Sequence, residues 1–169
     1  MTAKAKQTPK VLRRNPVRKT AMSAIDARKR LFVVEVNQAT ARMTLAVGII
    51  VALPQDLLSR LFRDCLLIAP DRAVVGRIEG AVVEERVVHL VAVITNTQSM
   101  AALAMGRFPT CKVAKSGRHP ALRLIPATDK EAGGRTFVLR RADGSAEHRY
   151  FCAPRPTSRP TVEMSGDST

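Results

Sequence analysis

The chain has 169 residues, 28 lysines and arginines against 14 acids, a net charge of +14 and an apolar fraction of 46%. That size and composition fit one domain with a single core, and the charge calls for a polyanionic partner. The longest apolar run, Leu45 to Leu53, has nine residues, too short to cross a bilayer as a helix, and no apolar segment follows the early charges as a secretory signal would require.

The charge is concentrated at the start. Ten basic residues (Lys4, Lys6, Lys10, Arg13, Arg14, Arg18, Lys19, Arg28, Lys29 and Arg30) and one acid, Asp26, fall in residues 1–30. The other 139 residues carry 18 basic and 13 acidic side chains, a net +5. Residues 1–30 therefore read as a disordered arm, with a short helix around 21–29, whose natural partner is a polyanion, phosphate being the commonest. Eight to ten of these charges on RNA imply a slope of log K against log salt of about −6 to −7. The segment also fits a mitochondrial transit peptide, although Pro9 and Pro16 interrupt the amphipathic helix such a peptide needs.

Residues 31–153 read as the folded domain. Leu31–Asn37 and Met43–Leu53 are expected strands, the second stopped by Pro54. Gln55–Phe62 is an expected helix, with Leu57, Leu58, Leu61 and Phe62 on one face. Cys65–Ala69, Ala73–Glu84 and Arg86–Thr95 follow as strands, the last nearly continuous in apolar character and hence central. Asn96–Gly106 is a second helix with Gly106 as its C-terminal stop. Ala121–Pro126 is a strand, and Arg135–Arg141 and Glu147–Cys152 form a hairpin across Asp143-Gly144. Residues 154–169 form an extended polar tail with Pro154, Pro156 and Pro160. About eight short strands point to an all-β sandwich or barrel, and eight strands with two helices inserted in loops suit a jelly-roll sandwich.

No catalytic constellation emerges, and a non-enzyme is expected. His89, His119 and His148 are dispersed, and no phosphate-binding glycine loop or nucleophile elbow is present. Glu84 and Glu85 are adjacent, so on a strand they would face opposite sides. Cys65, Cys111 and Cys152 are far apart and lack metal-ligand spacing; they read as reduced thiols. No cofactor and no metal are expected. Aromatics are scarce, with five Phe, one Tyr and no Trp, which favours recognition of phosphate charge over stacking of bases.

Four segments in order resemble bromovirus-type plant virus coat proteins: Leu53-Pro54-Gln55-Asp56-Leu57, Cys65–Glu85, Val87–Pro109 and Ala121–Pro156, over about 105 residues. The resemblance implies a jelly-roll subunit that self-assembles into an icosahedral shell of identical copies. It also implies an arm that packages single-stranded RNA, with the protein in the virion and, during assembly, the host cytoplasm. A position that can bear a calcium-binding carboxylate in that family corresponds to Arg60 here, so no metal site is carried over. Two other readings are a ribosome- or RNA-associated β-domain with a basic tail, organellar forms included, and a small enzyme whose residues converge from afar.

Overall fold

The computed structural model describes residues 30–48, 54–132 and 134–155. Nine of the ten arm residues (Lys4 through Lys29), the helix expected around 21–29, residues 49–53 of the second expected strand and the tail from 156 lie outside them.

Strands β1 (Arg30–Asn37) and β2 (Arg42–Gly48) form an antiparallel hairpin. Leu31 and Val33 face the core, but the register steps from Val33 to Glu35 while β2 advances by one, so Val34 is bulged and Val36 becomes the next core residue. A bulge shifts the phase of a period-two pattern, which is why LFVVEV shows no clean alternation. Helix α1 (Gln55–Phe62) has the expected bounds. It buries Leu58 and Phe62, one turn apart, and is tied to a strand by Ser59, whose Oγ donates to the Ala81 carbonyl (2.9 Å) and accepts from the Ala81 N–H (3.3 Å).

Strand β3 (Leu66–Ile68) leads to the long hairpin of β4 (Val74–Glu84) and β5 (Val87–Ile94). β5 alternates throughout, with Val88, Leu90, Ala92 and Ile94 buried and the residues between them half-buried. At Gly76 on β4 a Cβ would overlap the Val93 carbonyl oxygen. The turn joining the two strands is Glu85-Arg86, both at positive φ (47° and 67°).

Helix α2 (Thr97–Ala104) is capped by Asn96, whose Oδ1 accepts from the N–H groups of Gln98 (2.9 Å) and Ser99 (3.2 Å). It ends at Gly106 (φ 71°), whose N–H donates to the Leu103 carbonyl (2.9 Å). Strands β6 (Thr110–Ser116) and β7 (His119–Ile125) form a hairpin across Gly117-Arg118, and a short helix α3 (Asp129–Ala132) follows. β8 (Thr136–Arg140) and β9 (Ala146–Tyr150) form the hairpin expected around Asp143-Gly144. There Asp143 accepts from the Ser145 N–H (2.8 Å) and Oγ (2.6 Å), and Gly144 takes φ 86°.

The strands run β2-β5-β4-β3-β7-β6-β1, and β1 pairs back onto β2, so seven strands close into a barrel. Closure rests on a parallel pair, β3 with β7, and on β1, which uses one edge for β2 and divides the other. Its first residues pair antiparallel with β6, and Glu35–Asn37 pair in parallel with β8. The β8–β9 hairpin thus branches from the barrel at a fork in β1. Inside lie Leu31, Met43, Leu45, Leu67, Ile78, Leu90, Cys111 and Leu124, all at 0% exposure. Phe137 of β8 stacks on Phe151, ring centroids 4.8 Å apart.

The chain is all-β with few helices, as its sequence implies, but the arrangement differs from eight strands in a two-sheet jelly roll with two helices. The described residues hold nine strands and three helices, and seven strands close on themselves. The uncounted strand is β6. Its sequence TCKVAKS breaks apolar alternation, with Thr110, Lys112 and Ser116 at outward positions and Lys115 on the parity of the inward Cys111 and Val113. The closing contacts join residues far apart in the chain, which no local period encodes.

Candidate nucleic-acid interface

Of the ten arm residues, Arg30 lies within the described structure, as the first residue of β1. In register it stands opposite Lys112 of β6, which stands opposite Arg123 of β7. The neighbouring row, Leu31, Cys111 and Leu124, faces the core, so the three cations share the outer wall. Directly opposite side chains on paired strands have Cβ atoms about 5 Å apart, and like charges so placed repel. Arg118 and His119 at the turn extend the wall as exposed side chains, and Lys115, exposed near the same turn, lies on the opposite parity of β6 from Lys112. Neither β6 nor β7 contains an Asp or Glu, and among the described residues no ion pair involves Lys112, Lys115, Arg118 or Arg123. The buried Nε of Arg123 has no hydrogen-bond acceptor, and the Thr110 hydroxyl, on the same outer face, is also buried without a partner. A buried donor left unmade is destabilising.

Beside this wall, Phe32 lies opposite Thr110 and is 36% exposed. The Arg135 guanidinium covers its ring at 4.1 Å from Cζ to centroid. A cavity of about 250 Å³ opens next to them, lined by Phe32, Val34, Pro109, Arg135 and Phe151. It sits at the fork of β1, where the bulged Val34 separates the stretch paired with β6 from the stretch paired with β8. Sequence reading missed this arrangement. Phe32 was one of few aromatics, and its partner lies about a hundred residues downstream.

Elsewhere the groups that could do chemistry stay apart. His89 is half-buried on the outside of β5, its Nδ1 3.9 Å from Glu84; His119 and His148 are exposed on other strands. Glu84 ends β4 while Glu85 occupies the turn. Among the described residues no three His, Cys, Asp or Glu side chains gather to hold a metal ion. The three cysteines are free thiols. Burial pushes the Cys65 thiol up to about 11 and raises Cys111 as well, so both stay protonated and inert at neutral pH. Cys152 is exposed and its thiol donates to the Met105 carbonyl (3.0 Å). A second groove, of about 540 Å³ beside α2, is lined by Met105, Phe108, Pro126 and Pro154, and Arg107 is its one ionisable group. No helix among the described residues is long and apolar enough to cross a membrane. Compared with protein-family models, with curated proteins and with solved structures, the chain matches none.

Proposed function

We propose that this chain is a non-enzymatic binder of single-stranded RNA, in which the basic arm and the β1–β6–β7 wall together track the phosphate backbone. The observation that carries the reading is the acid-free wall formed by β6 and β7. Its cations repel one another when empty, and an RNA backbone relieves that repulsion while releasing its own counterions. The arm runs into this wall at Arg30, so charge continues from the arm onto the barrel without a gap.

Two forms of the reading differ in assembly. An RNA-associated β-domain binds as a single subunit; a coat protein, implied by the likeness to bromovirus-type proteins, also closes into an icosahedral shell within a virion. The eight-stranded jelly roll belongs to that second form and rests on strand spacing and the resemblance.

Fluorescence anisotropy of a labelled single-stranded RNA, titrated with the full chain over a range of salt, tests the shared claim. The expected slope of log K against log salt is steeper than about −6, since wall cations add to the arm's contribution. Deleting residues 1–25 removes Lys4, Lys6, Lys10, Arg13, Arg14, Arg18 and Lys19 and should flatten that slope by about 5. Binding that ignores salt, or that survives the deletion unchanged, rejects the reading. Light scattering on the same samples separates the forms: a particle of one or two subunits identifies the RNA-associated domain, and uniform closed particles identify the coat protein.

A further inference from the structure

Charge alone would make the wall blind to what the phosphates carry. The fork in β1 adds a feature of another kind, and we propose that it is a seat for one nucleobase of a single-stranded nucleic acid, formed by the ring of Phe32 and the guanidinium of Arg135. This rests on the RNA-binding reading and specifies where a base, as distinct from a phosphate, is held.

Four observations converge there. Phe32 faces outward on β1 and keeps 36% of its surface exposed, although a large aromatic is ordinarily buried. The Arg135 guanidinium lies over its face at 4.1 Å; ring and guanidinium planes are the two surfaces on which unstacked bases are held. The cavity of about 250 Å³ at their side gives the base room to enter. Its walls meet where β1 is bulged and changes partner, and bulges recur beside binding sites because they re-aim side chains. Arg30 is two residues from Phe32 along the same strand, ~7 Å away, and opens the cation row with Lys112 and Arg123. A nucleotide stacked on Phe32 therefore carries its phosphates over that row. The base takes the place of the guanidinium on the ring, and Arg135 closes over its other face; no bond is made or broken.

The chain has no tryptophan, which supplies a direct probe. Phe32→Trp puts one indole at the seat, and a stacked base quenches its fluorescence. The full-length F32W protein is titrated with single-stranded RNA, with single-stranded DNA and with inorganic polyphosphate, which offers the charge without a base. Quenching by both nucleic acids and none by polyphosphate is the expected result. In parallel, Phe32→Leu, which retains an apolar cover and folding as judged by circular dichroism, should weaken binding of a short RNA by about 5- to 100-fold, the effect of one stacked base. Its polyphosphate affinity and salt slope should not change, and F32W should recover the lost RNA affinity. Equal quenching by polyphosphate and RNA, or an F32L protein that binds RNA as the parent does, overturns the seat while the salt-dependent RNA binding stands. Failure of the parent protein to bind either RNA or polyphosphate overturns the RNA-binding reading, and the seat with it.

Discussion

The two sides of the barrel treat their cations in opposite ways. On β2 and β4 the only basic residues are Arg42 and Arg77. Arg42 forms a paired hydrogen bond with Glu79 (2.9 and 3.2 Å), and Arg77 reaches Asp64 at 4.0 Å. The β8–β9 branch does likewise, with Arg140 on Glu35 (3.2 Å) and Arg149 on Glu147 (3.1 Å). On β6 and β7 the cations Lys112, Lys115 and Arg123 have no acid on either strand. Exposed ion pairs add little stability, so the pairing on the first side mainly neutralises it. The second side retains its charge, at some expense in stability, where the arm meets the barrel. The contrast separates a scaffold from the proposed binding face.

The scaffold's limit is the sharpest way to break this comparison. Gly76→Ala drives a Cβ into the Val93 carbonyl at the first pair of the β4–β5 ladder, where the clash is with backbone and cannot be relieved by a rotamer change. A loss above about 3 kcal/mol is expected, seen as a collapse of the denaturation midpoint followed by circular dichroism. Gly80, four residues on, has open space around its Cβ position, and Gly80→Ala serves as the control that should fold.

The binding face comes next. Lys112→Gln, Lys115→Gln and Arg118→Gln combined should make the salt slope of RNA binding shallower by about 2, near 0.7 for each charge removed. Removing a repulsive cluster should leave the melting temperature equal or higher. Arg42→Gln with Arg77→Gln removes two charges from the scaffold side and should leave the slope unchanged. Equal slopes for both variants would erase the distinction between the sides.

How much of this was legible follows from where the signal resides. Helix α1 has its sequence-derived bounds because Pro54 starts it and its apolar residues repeat at helical spacing. The Asp143-Gly144 turn announces the last hairpin in two residues. β6 stayed hidden because its inward row is only Cys111 and Val113 before Lys115 ends it, too short a pattern to read as an apolar strand. Barrel closure and the cover of Phe32 by Arg135 each join residues from distant parts of the chain, a matter of topology and not of pattern. The absence of an ion pair at Lys112 and Arg123 among the described residues was likewise invisible, since a sequence shows charges but not their neighbours.

Alkaline pH probes the core that both sides share. The folded Cys65 thiol is pushed up to about 11 by burial, above its unfolded value of about 8.5. Its contribution to stability is therefore whole below that unfolded value and lost as pH climbs through 11. Cys111, raised for the same reason, acts in the same direction. Stability should fall steadily above pH ~8.5, by about 3 kcal/mol at pH 11 from Cys65 alone, read as a falling urea midpoint. Below that pH a thiol reagent should modify one exposed cysteine, Cys152, rapidly in the native protein, and all three after unfolding.

The smallest effect tests whether scaffold and binding face can be changed independently. Glu85 and Arg86 form a two-residue turn in which both hold positive φ, a conformation that Asn-Gly or Asp-Gly adopts with little strain. A residue with a Cβ loses about 1 kcal/mol or more there, while glycine adds freedom to the unfolded chain and returns part of the gain. Arg86→Gly should therefore raise stability by about 0.5 kcal/mol, measurable as a small shift in the urea midpoint with an unchanged slope. The turn belongs to the β4–β5 hairpin and not to the acid-free wall, so RNA affinity and its salt dependence should hold within error apart from any long-range loss of one charge. A marked drop in the salt slope would instead place Arg86 among the RNA contacts and extend the binding face around the end of the barrel.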